Sequence, residues 1–240
     1  MVDFQCPGSS RFKKPEPEDI VCPHCGRDVE IWTDEIKTTC PNCKRIVTRS
    51  LAPSCFDWCR YAKKCAGDTI YSTYMKNKTL SMRDVILKEM ENYFGEDKKR
   101  IDHAKKVLKF AEEILKKEQG DWHIVIPASI LHDIGIKEAK KKYGSSGGFY
   151  QEKEGPRIAE RILLKFGLKR GDVNEICEII AHHHSPGEID TMNFKILYDA
   201  DTLVNFKDEI KNISRKKLPD IIKRTFFTLT AKRIAEKLYC

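Results

Sequence analysis

The chain has 240 residues, with 44 basic and 36 acidic side chains and a formal charge of +8 at pH 7. Hydrophobic residues make up 40% and charged residues 33% of the sequence, which excludes collagenous and wholly disordered classes. No apolar run approaches the roughly 20 residues of a membrane-spanning helix, and residues 1–6 lack the features of a secretory signal, so we expect a cytoplasmic protein without a membrane partner.

Eight of the ten cysteines lie before residue 66, and four of these form two CPxC motifs. Two residues inside each motif allow a tight turn that directs both sulfurs at one ion. Between the motifs, residues 29–32 predict a short strand and residues 36–39 its partner, with a turn at Asp34 and Glu35. The pattern resembles a zinc ribbon, and it predicts a structural zinc ion bound by Cys22, Cys25, Cys40 and Cys43.

Three more cysteines, Cys55, Cys59 and Cys65, lie in a segment with a helix-like sequence. Cys55 and Cys59 are four residues apart, so they share one face of a helix. Together with Cys6 they would make a set of four thiolates, which suits a second zinc ion or an iron–sulfur cluster. Alternatively, they are reduced cysteines that pack as small hydrophobic side chains. Their spacing does not distinguish among these three outcomes.

From about residue 79 onward, apolar residues recur at helical spacing. A helix is predicted to start near Ser81 as its N-cap and to end at Gly95, with Gly144–Gly148 as a later loop. Further helices are predicted at 96–118, 122–136, 155–166, 172–184, 194–207 and 219–238. The predicted fold class is an all-α bundle over residues 71–240, preceded by a small β-containing, cysteine-rich module over residues 1–70.

Histidine and aspartate residues in the helical region indicate a metal site. His132 and Asp133 are adjacent at the end of an apolar helix, where an unpaired carboxylate is costly to bury. A divalent cation removes that cost, and imidazole with carboxylate suits Mn, Fe, Ni, Zn or Mg to differing degrees. His103 precedes this pair, and Asp201 follows it.

The order of these residues resembles the signature of the HD-domain metal-dependent phosphohydrolase superfamily. Residues 130–135 (ILHDIG) are similar to its central LHDIG motif, and residues 197–203 (LYDADTL) to its closing DADxL motif. The resemblance covers about residues 80–210 and implies an all-α bundle. It also implies that His103, His132, Asp133 and Asp201 hold a metal ion. Asp199, the first aspartate of the closing motif, is then expected to act as a capping or supporting group.

Family members with two ions carry additional histidines between the HD pair and the last aspartate. His182 and His183 match this place, so the resemblance implies that they bind a second ion and that Asp133 bridges both ions. His184 is expected to support the site or to face solvent. Many two-metal members have a further histidine near residues 151–155, which this sequence lacks. Glu154 is the candidate replacement, with an exposed acid at a helix start as the alternative.

The resemblance implies hydrolysis of a phosphomonoester or phosphodiester, of a nucleotide or a related metabolite. A divalent ion would supply hydroxide at neutral pH, with His132 and Asp133 as catalytic residues. Lys137 is the third predicted catalytic residue, because a cation near the mouth would stabilise the phosphoryl charge. Arg157 and Arg161 are further cationic candidates.

The competing hypothesis is a sensor that binds metal and nucleotide without turnover. Its ribbon and its basic C-terminal region would then bind nucleic acid or protein, and residues 205–240 carry ten basic and four acidic side chains. The intact set of four HD residues favours the enzyme. Nothing in the sequence predicts an oligomeric state.

Overall fold

The computed structural model describes residues 14–33, 35, 37–48, 56, 59, 61–211 and 213–240, without the side chains of Lys37, Thr48, Ile70 and Ser81. The chain divides into two units, Met1–Asp84 and Val85–Cys240. Their boundary falls within a helix that begins at Asp68 and ends at Phe94. No helix in the described residues is both long and apolar enough to cross a membrane.

The first unit contains two antiparallel hairpins. Strand β1 (Pro17–Val21) pairs with β2 (Asp28–Trp32), and β3 (Lys37–Thr39) pairs with β4 (Ile46–Thr48). The expectation that residues 29–32 pair with residues 36–39 is therefore wrong. Each CPxC motif lies in the turn of its own hairpin, so β2 and β3, the two strands between the motifs, pair with β1 and β4 and not with each other.

The remaining described elements are helical. They are α1 (Ala62–Ala66), α2 (Asp68–Phe94), α3 (Lys98–Leu115), α4 (Trp122–Leu131), α5 (Ile136–Tyr143), α6 (Gly148–Lys165), α7 (Arg170–His182), α8 (Met192–Glu209), a 3-10 turn (Arg215–Lys217), α9 (Leu218–Thr225) and α10 (Leu229–Tyr239). The predicted fold class, an all-α bundle preceded by a small β module, is confirmed.

Several helix boundaries differ from the prediction; the helix predicted over 155–166 begins at Gly148, and the one predicted over 122–136 ends at Leu131. Ser81 is interior to α2, because residues 68–94 contain neither glycine nor proline, and the breaks come at Gly67 and Gly95, whose φ angles are +84° and +63°. The single helix predicted over 219–238 is two helices. They are separated at Phe226, which is extended, and Thr228 caps the second helix.

Helix α4 forms the centre of the bundle. Its residues from Ile124 to Leu131 are all buried, and α3, α7 and α8 pack against it. Three helices therefore surround it. At the C-terminal end of α4 the chain turns through His132–Gly135 before α5 begins, so the HD pair lies in this turn.

Gly135 permits this turn to pack directly on α6. A Cβ atom at Gly135 would overlap the Gln151 carbonyl oxygen and approach the Gly155 nitrogen to 2.7 Å.

Both obstacles are backbone atoms, so we expect Gly135→Ala to lower the free energy of unfolding by about 3 kcal/mol, measured by urea denaturation. Gly171→Ala is the control, since its Cβ meets nothing within 4 Å and it lies in helix α7. The free energy of unfolding of Gly171→Ala should equal that of wild type or exceed it by up to about 1 kcal/mol. Equal losses of stability in the two variants would refute the packing argument.

Candidate metal centres

The four residues of the HD motif lie together. The His103 Nε2 atom, on α3, is 3.2 Å from His132 Nε2 and 3.0 Å from Asp201 Oδ1, on α8. Asp133 Oδ2 is 3.7 Å from His103 Nε2 and 3.8 Å from His132 Nε2. Ligand atoms about 2.1 Å from one ion are about 3.0–3.5 Å apart, so this cluster has the spacing of a metal site.

The buried imidazoles are held in the tautomer that a metal ion requires. The Nδ1–H of His132 donates to the Ser129 carbonyl oxygen (2.9 Å), and the Nδ1–H of His183 donates to that of Ile180 (2.7 Å). In a neutral ring this leaves the Nε2 lone pair for another partner. Metal-binding histidines usually have such an orienting hydrogen bond, so both rings fit that role.

A second group surrounds the other oxygen of Asp133. Asp133 Oδ1 lies 3.8 Å from His183 Nε2, which is longer than a hydrogen bond. His183 Nε2 is buried and has no hydrogen-bond partner among the described residues. A buried, unpaired polar atom is costly, and a cation would remove that cost. Asp133, His183 and His184 together offer the ligand atoms of a second site.

His184, and not His182, groups with Asp133 and His183 as a possible metal-ligating set among the described residues. The Nδ1–H of His182 donates to the Glu178 carbonyl oxygen (2.9 Å), the same kind of orienting bond that His132 and His183 make, so this bond does not distinguish His182 from them. Helix α7 ends at His182, so its periodicity no longer fixes the directions of the next two side chains. The His184 Nε2–H donates to Gln151 Oε1 (3.3 Å), and Glu152 accepts from the His184 backbone N–H (2.9 Å). Sequence reasoning missed both of these supporting residues.

Glu154 does not fill the place of the missing histidine. Its carboxylate accepts hydrogen bonds from Lys142 Nζ (2.6 Å) and from the Tyr143 hydroxyl (2.9 Å). Its side chain is only 8% exposed, so the alternative of an exposed acid at a helix start is wrong as well. Gln151 and Glu152 are the residues of this segment that contact the histidines.

The carboxylates of the helical site are anionic at neutral pH. Burial alone raises the pKa of Asp133, but the neighbouring imidazoles, first that of His132 and then that of His183, outweigh burial and hold the pKa well below its usual value. Burial likewise raises the pKa of Asp201, and the hydrogen bond from His103 reverses the shift. Burial lowers the pKa of His132, so its ring is neutral. Two anionic carboxylates beside a neutral imidazole favour cation binding.

The two CPxC motifs bring four sulfurs together. Cys22 Sγ lies 3.7 Å from Cys43 Sγ, and Cys25 Sγ lies 3.6 Å from Cys40 Sγ. Tetrahedral zinc with Zn–S bonds of 2.3 Å separates its sulfurs by about 3.8 Å. This cluster therefore fits a zinc-ribbon-like module.

The two motifs have the same local conformation. The Gly26 N–H donates to the Cys22 carbonyl oxygen (2.9 Å), and the Lys44 N–H donates to that of Cys40 (3.0 Å). Gly26 and Lys44 both have a positive φ, of 71° and 59°, at the residue after the second cysteine. Each hairpin therefore presents its two thiols in the same way.

The proposed second cysteine cluster falls partly outside the described residues, because Cys6 and Cys55 belong to the segments without a description. Cys59 and Cys65 are half-buried free thiols. Cys59 packs against a small apolar cluster that contains Phe56 and Tyr74, whose rings meet edge-on at 4.9 Å. A zinc ion or iron–sulfur cluster at Cys6, Cys55, Cys59 and Cys65 stays a prediction.

The comparison with known families agrees with the helical site. Residues 100–205 match the family model of the HD domain, and this segment includes His103, His132, Asp133 and Asp201. This segment of the chain is an HD domain. The domain implies a divalent metal ion, which His103, His132 and Asp133 are placed to bind.

Among solved structures, the chain is similar to a predicted HD superfamily hydrolase from an uncultured Thermotogales bacterium. The two share 28% sequence identity with a TM-score of 0.49, and the likeness covers 65% of this chain and 84% of that chain. No curated protein matches the chain.

Asp199 of the HD domain caps a helix. Its fully buried carboxylate accepts hydrogen bonds from the backbone N–H groups of Phe227 (2.9 Å) and Thr228 (2.7 Å), at the start of α10. We expect Asp199→Ala to destabilise the domain by about 2–4 kcal/mol, because two backbone donors lose a charged acceptor.

The metal content of Asp199→Ala should remain that of wild type, whereas Asp201→Ala should lose metal. Thermal unfolding and elemental analysis of both variants test this division of roles. Loss of metal in Asp199→Ala at unchanged stability would reverse the assignment.

Among the described residues, Arg100 and not the predicted Lys137 forms an ion pair with the HD cluster. Lys137 Nζ donates to the Tyr93 carbonyl oxygen (2.7 Å) and lies 5.2 Å above the Tyr93 ring. Arg100 Nη1, in contrast, lies 3.8 Å from Asp133 Oδ2. Arg100 precedes His103 by three positions, which places both on the same face of α3, and this spacing is the signal that sequence reasoning overlooked.

Proposed function

We propose that the HD domain hydrolyses a phosphomonoester or phosphodiester of a small molecule, a nucleotide or a related metabolite. The observation that carries the proposal is the orientation of Asp133. Its Oδ2 atom faces His103 and His132, and its Oδ1 atom faces His183. A carboxylate between two groups of imidazoles supports a pair of ions that it would bridge, and two ions suit in-line displacement at phosphorus.

A divalent ion bound at this site supplies Lewis acidity and a hydroxide nucleophile at neutral pH. The chain's own residues hold the reacting groups in place. Hydrogen bonds to the carbonyls of Ser129 and Ile180 prevent the rings of His132 and His183 from turning. Such fixed geometry accounts for much of the catalytic effect of an active site.

Arg100 is our candidate for binding the substrate phosphoryl group. Its side chain is 24% exposed, and its guanidinium lies beside Asp133. A guanidinium can donate two parallel hydrogen bonds to phosphate oxygens. Because the Lys137 ammonium is bound to the Tyr93 carbonyl, we assign to Arg100 the charge-stabilising role that the sequence analysis gave to Lys137.

A metal-dependent screen tests the proposed activity. The full chain, loaded in turn with Mn, Ni, Co, Mg or Fe(II), is assayed with p-nitrophenyl phosphate, bis-p-nitrophenyl phosphate and common nucleotides. We expect metal-dependent release of phosphate or of the leaving group from at least one of them. Tight nucleotide binding without turnover under every metal would contradict the enzyme and favour the sensor.

We also propose a cytoplasmic location and a partner for the zinc-ribbon-like module. Thiolates that ligate zinc must stay reduced, which suits the cytoplasm. We propose that the ribbon and the basic residues of 205–240 contact a nucleic acid or protein partner, in addition to the small-molecule substrate of the HD domain.

A further inference from the structure

A charged cleft lies between α5 and α6. It has a volume of about 430 Å³, and it is lined by the side chains of Glu138, Lys142, Glu154, Glu160, Arg157 and Arg161. None of the HD metal-ligating residues lines it. Its volume falls within the range of small-molecule sites.

Each carboxylate that lines the cleft lies within 4 Å of a cation other than Arg157 and Arg161, although two of the three share one lysine. Lys142 Nζ lies 2.6 Å from Glu154 and 3.5 Å from Glu138. Arg170 Nη1, from the start of α7, lies 2.7 Å from Glu160. A cationic ligand would therefore have to displace Lys142 or Arg170 from these carboxylates.

The two arginines of the cleft have no such partner. Arg157 and Arg161 are exposed and lie one turn apart on α6, and neither takes part in a hydrogen bond or ion pair with the described residues. Two like charges four positions apart on a helix repel each other. An anion between them would remove this repulsion.

We propose that the cleft between α5 and α6 binds a small phosphorylated molecule through Arg157 and Arg161. Each guanidinium offers a planar pair of N–H donors that matches two phosphate oxygens. The rest of such a molecule would occupy the 430 Å³ beside the paired carboxylates. This site is separate from the HD cluster and does not depend on turnover there.

The carboxylates of the cleft favour a compact ligand over a nucleic acid strand. Glu138, Glu154 and Glu160 line the same cleft as the arginines. A long polyanion that followed the basic surface would place successive phosphates against these acids, where like charges raise the cost of binding. A single phosphate group contacts the two arginines alone.

Residue-resolved protection tests the proposal on the metal-loaded full chain. The protein is treated with phenylglyoxal, which modifies accessible arginines, in the presence of inorganic phosphate or of sodium chloride at equal ionic strength. Peptide mass spectrometry then gives the modification rate of each arginine. We expect phosphate to slow the reaction of Arg157 and Arg161 at least threefold and to leave exposed Arg233, on α10, unchanged.

Substitution gives an independent readout by calorimetric titration with inorganic phosphate. Arg157→Gln and Arg161→Gln should each weaken the cleft component of binding about tenfold or more, since each removes a charge-assisted hydrogen bond. Arg233→Gln, which removes the same charge elsewhere, should leave it unchanged. The Asp133→Asn variant identifies any phosphate bound at the HD metal site, because that component disappears with the metal and the cleft component remains.

Three results would overturn the proposal. The first is equal modification of Arg157 and Arg161 with and without phosphate. The second is equal weakening by Arg233→Gln, which indicates a general charge effect. The third is protection by a single-stranded oligonucleotide but not by phosphate, which would make the cleft part of a nucleic acid surface.

Discussion

Replacing Asp133 by asparagine will remove metal from the helical site and lower hydrolysis at least about a thousandfold, a loss of about 4 kcal/mol of transition-state stabilisation. Asparagine preserves the volume of the side chain but removes its charge and one acceptor oxygen. Both oxygens are in use, since Oδ2 faces His103 and His132 and Oδ1 faces His183. A single substitution therefore affects both groups of imidazoles.

Asp102→Asn is the matched control for this experiment. Asp102 is the exposed neighbour of His103 on α3, so the same chemical change occurs outside the cluster. Elemental analysis should find the ribbon zinc in both variants and the HD metal only in the control. Wild-type activity or HD metal content in Asp133→Asn would refute the assignment of Asp133 as the shared ligand.

Replacing Cys22 by serine will unfold the two hairpins of the first unit. Cys22 and Cys40 are buried in a core that otherwise contains little more than Val29 and Val47. Such a small core cannot outweigh the entropy of the chain on its own, and the binding energy of structural zinc is the folding energy of such modules, about 10–16 kcal/mol. The loss of one thiolate should release zinc and expose residues 17–48 to proteolysis.

Cys240→Ser serves as the control, because Cys240 is an exposed thiol at the end of α10. It should retain zinc and protease resistance. The HD domain of Cys22→Ser should keep its metal and its activity, since its ligands lie in the second unit. A Cys22→Ser protein that retains one zinc ion at the CPxC motifs and a protected N-terminal segment would refute the ribbon.

The sequence predicted the HD residues because the chemistry of His132 and Asp133 is local. Adjacent polar groups at the end of an apolar helix need a partner wherever the helix packs. The directions of His182, His183 and His184 were not predictable in this way. Helix α7 ends at His182, and beyond that point packing against Gln151 and Glu152 decides which ring faces Asp133.

The strand pairing of the first unit was also mispredicted, because it depends on how each CPxC motif folds and not on how close two strands lie in the sequence. The segment between the CPxC motifs contains two strands, and proximity in sequence suggested that they pair. Each motif instead closes a hairpin by backbone hydrogen bonds, such as that from the Cys22 N–H to the Arg27 carbonyl oxygen (2.8 Å). The sequence CPxC-x-R occurs at both motifs and could have indicated this pairing. Identical turns favour the same arrangement, in which the strands on either side of each turn pair with each other.

The ligand atoms of the helical site come from α3, from the turns after α4 and α7, and from α8, so an ion bound there would tie together segments that are distant in the chain. Such an ion binds the native protein and not the disordered chain. Each tenfold excess of free metal over its dissociation constant therefore adds about 1.4 kcal/mol to thermodynamic stability. The melting temperature of this protein should thus rise and fall with metal supply, and starvation for the metal should shorten its lifetime in a cell by exposing it to proteases.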